Sequence, residues 1–346
     1  MRPIDFLLLL SLLTSIGCQR EDKLKSKIRI AVPKNLNYAL LWIAKEKNFI
    51  RKSEIDVEFF AEEDPASLYQ NRKVDLICSH LTEPILLHSE GINTEIIYRF
   101  TYTSGNDVLI TKPKIKNLNE LRNKKISFHG VNSSSHIFIE EILDKNGIKE
   151  GEYNTKNLKP QDVLSEIQKD NIQAGLTQIR YLKNKSADEY RVLARSSELP
   201  DLITDVMSGR TAFLRAHKIE IKKLIASLLE AREFCEANPK ECKEILSKVF
   251  GESLDSISAE FDSLRFLSRE ENIQSLGTSK NESIDPFAIK ENRVGIGQEK
   301  RGALFHASET IVQFLSTRGQ LYKNPDLNQL IVNDYLKDKS IDENSK

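Results

Sequence analysis

The chain has 346 residues, and its 51 Lys and Arg residues balance 51 Asp and Glu residues, for a formal net charge of zero. This balance gives no basis for nucleic-acid binding or for attraction to an anionic membrane surface. The part that follows the N-terminal segment is too long for one ordinary domain and fits two.

The first element is an N-terminal targeting segment. Arg2 precedes an apolar run at residues 6–16 that is too short to span a bilayer as a mature helix. The run leads into SIGC, ending at Cys18, which resembles a bacterial lipobox with a lipidated cysteine. Ser15 replaces the usual leucine and Asp5 weakens the preceding positive charge, so an ordinary cleaved signal with an incidental cysteine is the alternative. We expect a lipoprotein signal peptide at residues 1–18, lipidation of Cys18 and a flexible tether at residues 19–26.

Strand and helix patterns alternate between Ile28 and Gly91. The runs Ile28–Val32, Ile55–Phe60 and Val74–Cys78 are apolar, β-branched or aromatic, and the segments between them have helical spacing. This order predicts an α/β fold with a mostly parallel sheet. In such sheets ligands bind beyond the carboxyl ends of the strands. Those ends are the loops Pro33–Tyr38 and Ser79–Glu83.

Polar side chains in these two loops are the candidate ligand contacts of the first half. They are Asn37 and Tyr38 after the first strand, and Ser79, His80 and Thr82 after the third. Tyr38 has an alternative place beside Trp42, which lies in an apolar helical stretch and is expected in the core. Thr82 has an alternative role as the cap of a helix at Glu83–His88.

A second strand–loop–helix pattern begins after Lys112-Pro113-Lys114. The strand-like KKISFHG is followed by a loop and the helical IFIEEILDKNGI, so we expect a second domain to open near residue 113. Ser133, Ser134 and Ser135 precede this helix, where hydroxyls and exposed backbone N–H groups suit an anion or a carbonyl oxygen. A plain serine N-cap is the alternative. Ser104 and Thr177 complete the expected rim of a cleft.

Two helical segments, Ile219–Ala237 and Lys240–Val249, flank Asn238-Pro239, and a later one is predicted at Ala303–Ser316. Cys235 and Cys242 form a disulfide if the turn at this Asn-Pro pair brings them together; two free thiols on separate helix faces are the alternative. No second Cys or His pair lies at ligand spacing, so we expect no metal site. Cys78 ends an apolar strand and is expected to be a small core residue.

Five segments, in order, resemble the solute-binding proteins of bacterial ABC importers. IRIAV with LLWIAKEKNFIRKSEIDVEFF resembles the start of the family, and VDLICSHLTEPILLHSEG resembles its strand that ends in small polar residues. LNELRNKKISFHGVNSSSHIFIEEILDKNGI resembles the stretch from which the second domain contacts ligand. ASLLEAREFCEANPKECKEIL and FLSTRGQLYKNPDLNQLIVNDYL resemble a two-helix segment and the C-terminus. Asn48 and Ser53-Glu54-Ile55 depart from the family's usual glycine and Glu-Gly-Leu.

The group of this family that the sequence resembles binds nitrate, sulfonates, taurine or thiamine-pyrimidine precursors. The resemblance implies a type II periplasmic-binding fold, with two α/β lobes, two hinge crossings and the ligand in the cleft between the lobes. On this basis lobe 1 is expected at residues 27–112 and 203–336, lobe 2 at 113–202, and a disordered tail at 337–346. The resemblance further implies a monomer in the bacterial cell envelope, held at the membrane by lipid. It would deliver a small organic solute to an ABC permease with a separate ATPase subunit, without a cofactor.

Catalytic signatures such as Gly-x-Ser-x-Gly, a Walker loop or His-Glu-x-x-His do not occur in the sequence. Fungal and plant pyrimidine synthases of thiamine biosynthesis resemble these binding proteins but carry a cysteine-rich motif that this chain lacks. We therefore expect a binding protein and not an enzyme. The alternatives are a surface lipoprotein that kept the fold and binds another partner and, as the lesser one, an enzyme similar to the thiamine-pyrimidine synthases.

Overall fold

The computed structural model describes residues 27–61, 64–102, 105–183, 185–186, 188–279 and 300–337. The expected signal peptide, the lipidation site Cys18, the tether and the candidate Ser104 lie outside these residues, as does the tail beyond Lys337.

The described residues form thirteen strands and thirteen α-helices. The strands are β1 Ile28–Ala31, β2 Val57–Phe60, β3 Leu76–His80, β4 Thr94–Tyr102, β5 Asp107–Thr111, β6 Lys125–Phe128, β7 Asn154–Asn157, β8 Ala174–Gln178, β9 Arg191–Arg195, β10 Thr204–Arg210, β11 Arg265–Phe266, β12 Thr278–Ser279 and β13 Lys300–Arg301. The helices are α1 Ala39–Glu46, α2 Phe49–Lys52, α3 Pro65–Gln70, α4 Thr82–Ser89, α5 Ser134–Lys145, α6 Val163–Gln168, α7 Thr211–Ala216, α8 Lys218–Ala237, α9 Pro239–Phe250, α10 Leu254–Phe261, α11 Arg269–Ser275, α12 Ala303–Thr317 and α13 Leu327–Leu330.

The predicted α/β fold with two lobes is confirmed. Lobe 1 is built on a six-stranded sheet of order β11-β4-β10-β3-β1-β2, and lobe 2 on a five-stranded sheet of order β7-β6-β8-β5-β9. Both sheets are mixed, whereas mostly parallel sheets were expected. β10 runs antiparallel to β3 and β4, and β5 runs antiparallel to β8 and β9. Each of these strands enters its sheet directly from the other lobe, which reverses its direction relative to its neighbours.

The chain crosses between the lobes before β5 and again between β9 and β10. Because β5 pairs with β8 and β9, residues 107–111 belong to lobe 2, and the predicted boundary near residue 113 is wrong. Lys112-Pro113 marks the end of an apolar strand and not the crossing itself. The other expected boundaries stay predictions.

The core of lobe 1 lies between its sheet and the helices α1, α8 and α9. The sequence ALLWIAKE buries six of its eight residues, because α1 is covered by the sheet on one side and by the two later helices on the other. Trp42 packs edge-on against Phe59 and Phe250, which confirms its expected place in the core. Pro239 opens α9, and a disulfide joins Cys235 in α8 to Cys242 in α9.

Candidate functional site

Asp205 lies at the cleft end of lobe 1, where three side chains converge on its buried carboxylate. The Tyr38 hydroxyl donates to Oδ1 over 2.8 Å, and the Thr101 hydroxyl donates to Oδ2 over 3.2 Å. Nδ1 of His80 lies 3.2 Å from Oδ1. The strand register brings Asp205 and His80 together, because Asp205 on β10 is directly opposite His80 on β3. Asp205 is only 3% exposed, so these contacts are what compensate its charge.

His80 is a cationic group on the lobe 1 side of the cleft. Burial lowers the pKa of His80, but the charge and hydrogen bond of Asp205, with the carboxylates of Asp107 and Glu83, raise it to about 9. The imidazolium therefore donates from Nδ1 to Asp205 at neutral pH. Protein groups surround the His80 ring, yet half of its side chain is accessible to solvent. Both hold because His80 lies at the cleft and not in the core.

Asp107 faces this cation from lobe 2. It is the first residue of β5, and its Oδ1 accepts a hydrogen bond of 3.4 Å from Nε2 of Gln178 on β8. Burial raises the pKa of Asp107 to about 6, although Gln178, His80 and Arg180 oppose this rise. The carboxyl is therefore mostly ionised at neutral pH, and among the described residues the long bond from Gln178 is the hydrogen bond that its oxygens accept. Arg180 is itself engaged by Glu260 of lobe 1, with 2.7 Å between Nη1 and Oε2.

The serine loop before α5 meets the other lobe through Ser134. Its hydroxyl is buried and lies 3.4 Å from that of Thr82, at the first turn of α4. Ser133 is the N-cap of α5 and accepts from the backbone N–H of His136, as the alternative interpretation had it. Ser133 and Ser135 both donate to the carbonyl oxygen of His129 over 2.6 Å. The Ser133 and Ser135 hydroxyls are thus hydrogen-bonded within their own segment, whereas the Ser134 hydroxyl contacts Thr82 of the other lobe.

Of the other predicted contacts, Asn37 lies in the turn that follows β1, whereas Ser79 lies in β3 and not in the loop where it was expected; its hydroxyl donates to the carbonyl oxygen of His80. The Tyr38 ring is buried and packs edge-on against Phe100, so only its hydroxyl reaches the site. The Thr177 hydroxyl donates to the Pro160 carbonyl oxygen over 2.6 Å and is buried. The residue preceding α4 is Leu81, so the alternative that Thr82 caps this helix is wrong. A ligand-binding role for each of these residues stays a prediction.

Sequence reasoning missed Asp205 and Asp107. Each is a carboxylate at or next to the first position of a strand that is almost entirely buried, directly after a crossing between the lobes. A charged residue at the start of a buried strand is costly unless it has a partner, and this cost is the signal that was available.

Further contacts close the rim of the cleft on the side of α12. Arg318 reaches Glu140 of α5 over 2.7 Å and Glu150 over 2.8 Å. The His136 ring packs edge-on against Phe314, with 5.2 Å between centroids. The structure therefore holds the two lobes in contact both near the crossings and at the rim.

Within the described residues, no group of three or more His, Cys, Asp and Glu side chains is arranged to hold a metal ion. None of the described helices combines the length and the apolar character needed to cross a membrane.

Two mixed sheets joined by two crossings, with polar side chains between them, define the periplasmic-binding-protein fold. The model of the NMT1/THI5-like family matches residues 35–242. The chain belongs to this family, as the sequence indicated.

Solved structures support the same fold at low sequence identity. The periplasmic aliphatic sulphonate binding protein SsuA from Escherichia coli is 15% identical, with 89% of this chain and 92% of that chain covered and a TM-score of 0.66. A putative sulfonate ABC transporter periplasmic sulfonate-binding protein SsuA from Methylobacillus flagellatus KT is 15% identical, with 90% and 92% covered and a TM-score of 0.68. A cysteine-to-serine mutant of DszB in complex with biphenyl-2-sulfinic acid is 11% identical, with 90% and 97% covered and a TM-score of 0.59. No curated protein matches the chain by sequence.

Proposed function

We propose that this protein is an extracytoplasmic solute receptor, anchored by lipid at Cys18, that closes its two lobes around one small organic solute. It then presents the closed form to an ABC permease served by a separate ATPase subunit. The observation that carries the proposal is the opposition of His80 and Asp107 across the cleft, next to the contact between Thr82 and Ser134. Ligands of this fold bind between the domains, where closure removes them from water.

The charges of the cleft favour one kind of solute within the sulfonate, taurine, nitrate and thiamine-pyrimidine-precursor classes. The protonated His80 ring supplies a donor, whereas Asp107 supplies an incompletely paired acceptor. A solute with both an acceptor and an N–H donor, such as a zwitterion or an amino-substituted heterocycle, satisfies both residues. Nitrate and a simple alkanesulfonate offer acceptors only, and would leave the desolvated Asp107 carboxylate with the long Gln178 hydrogen bond but no donor from the solute.

Cys78 bears on the enzyme alternative, because the fold is shared with DszB, whose solved structure carries a serine in place of a cysteine. Cys78 is the free cysteine among the described residues, and it is fully buried. Burial raises the pKa of its thiol well above the usual range, so it has no thiolate character at neutral pH. This supports a binding protein without a cysteine nucleophile.

The test is calorimetric titration of the full chain with taurine, ethanesulfonate, nitrate and an aminopyrimidine. The same titrations are then repeated with the His80→Gln variant. We expect a solute with both donor and acceptor groups to bind, and His80→Gln to weaken it about tenfold or more, the loss expected for a charge-assisted hydrogen bond. His306→Gln is the matched control, since His306 is an exposed histidine paired with Glu309 on α12. A folded protein that binds none of the four would contradict the proposal.

A further inference from the structure

The far end of lobe 1 carries a second pocket, remote from the cleft. Its volume is about 440 Å³, and three arginines line it: Arg72, Arg210 and Arg215. Asn93 and Thr211 complete its polar wall. Asp205 and Arg210 lie at opposite ends of β10, five residues apart, so the pocket is about 17 Å along the strand from the cleft carboxylate.

Arg210 is fixed in place before any ligand arrives. Its guanidinium lies 4.5 Å from the centroid of the Tyr69 ring, and its Nη2 donates to the Tyr69 carbonyl oxygen. Its Nε–H is buried, yet it has no acceptor among the described residues. Buried donors are nearly always paired, so this one calls for an acceptor that the neighbouring side chains do not supply.

The charge around the pocket is positive. Within the described part of the chain, neither Arg72 nor Arg210 forms an ion pair, while Arg215 lies 3.6 Å from Glu95 and is 76% exposed. Among the described residues, one ion pair, between Arg215 and Glu95, involves the three arginines of the pocket. Planar guanidinium groups bind tetrahedral oxyanions through paired hydrogen bonds.

We propose that this arginine pocket binds a phosphate group, either as free phosphate or as the phosphodiester of a lipid headgroup. The second source has a geometric basis. Ile30 of β1 pairs with Leu76, and Leu76 pairs with Gly209 of β10, so the chain enters lobe 1 at Lys27 on the same end of the sheet as Arg210. Two strand spacings separate β1 from β10, about 10 Å. The lipid source rests on the proposed function, because an anchor at Cys18 would keep this end of the sheet within the length of a tether of about nine residues, roughly 30 Å, from the membrane.

The experiment titrates the full chain with inorganic phosphate and, separately, with dihexanoyl phosphatidylglycerol as a soluble phosphodiester, at constant ionic strength. We expect saturable binding of at least one probe, reduced about tenfold or more in Arg210→Gln, since each lost charge-assisted hydrogen bond has an effect of this order. Binding of phosphate alone assigns the free anion, and binding of the diester alone assigns the headgroup. Arg191→Gln is the matched control, because Arg191 is an exposed lobe 2 arginine that also donates to a backbone carbonyl.

If Arg210→Gln does not fold, the double variant that combines Arg72→Gln and Arg215→Gln tests the same pocket from its exposed side. The proposal is overturned if neither probe binds, or if both probes bind the pocket variants as tightly as the wild type. It is also overturned if His80→Gln abolishes binding, because the anion would then occupy the cleft. Solute binding in the cleft is expected to be unchanged in Arg210→Gln, so the two proposals fail independently.

Discussion

Replacing His80 by glutamine tests the electrostatics of the cleft through the pH dependence of stability. His80 has a pKa of about 9 in the folded protein against an ordinary value of 6.5. A histidine with a raised pKa contributes stability that is fully present below pH 6.5 and is lost as the pH rises through about 9. The wild type should therefore exceed His80→Gln in unfolding free energy at pH 6, and the difference should disappear by about pH 10.

The size of the effect follows from the pair with Asp205. The full shift would correspond to about 3 kcal/mol, but half of the His80 side chain is exposed, so solvent screening reduces the contribution to roughly 1 kcal/mol. Tyr38 and Thr101 continue to donate to the Asp205 carboxylate in the variant, so the protein should still fold.

The assay is urea unfolding of both proteins at pH 6 and pH 10, with His306→Gln as the control at an exposed ion pair. We expect the control to show no more than a few tenths of a kcal/mol of difference, the range of exposed pairs. Equal destabilisation by His80→Gln at the two pH values would refute the reasoning, since a purely steric role of the ring does not depend on protonation.

Two further predictions concern buried groups near the crossings. Burial raises the pKa of Asp107 from 3.8 to about 6. Its protonated form therefore contributes stability that is fully present below pH 3.8 and is lost as the pH rises through about 6. Asp107→Asn should remove this loss, so the variant should be more stable than the wild type at pH 7 but not at pH 3.5; equal stability at pH 7 would contradict this. Arg99 is 1% exposed and donates to Thr204 and to Asp201 in the second crossing, so Arg99→Met should cost about 3 kcal/mol in urea unfolding. A cost below about 1 kcal/mol would mean that this buried cation is not required.

The sequence predicted three long helices of lobe 1 nearly to the residue. Ile219–Ala237 and Lys240–Val249 correspond to α8 and α9, and Ala303–Ser316 corresponds to α12. All three segments have apolar residues at helical spacing, and Pro239 separates α8 from α9 because proline is tolerated in the first turn of a helix but not in its interior, so local sequence is enough to locate them.

The boundary between the lobes and the charged centre of the site could not be predicted in the same way. β5 is an apolar strand in either lobe, and only its pairing with β8 and β9 assigns it to lobe 2. Asp205 likewise meets His80 because β10 lies antiparallel to β3 in one register. Strand order and register are set by long-range pairing, and a single sequence without internal repeats does not reveal them.

The positions of the charged groups divide the cleft into two functional parts. Asp107 and Asp205 are each at or next to the first residue of a strand that follows a crossing, so they lie close to the hinge, where the proposed opening of the lobes would displace residues least. Arg318 and Glu140 join the lobes at the rim, where hinge motion separates residues most. On the proposed function, the hinge-side groups would select the chemistry of the solute in the open and the closed state, whereas the rim contacts would stabilise the closed state only. A solute that hydrogen-bonds to His80 and Asp107 but is too large for the rim to close would lose the stabilisation from the rim contacts. The size and the charge of the solute would therefore be selected by different residues.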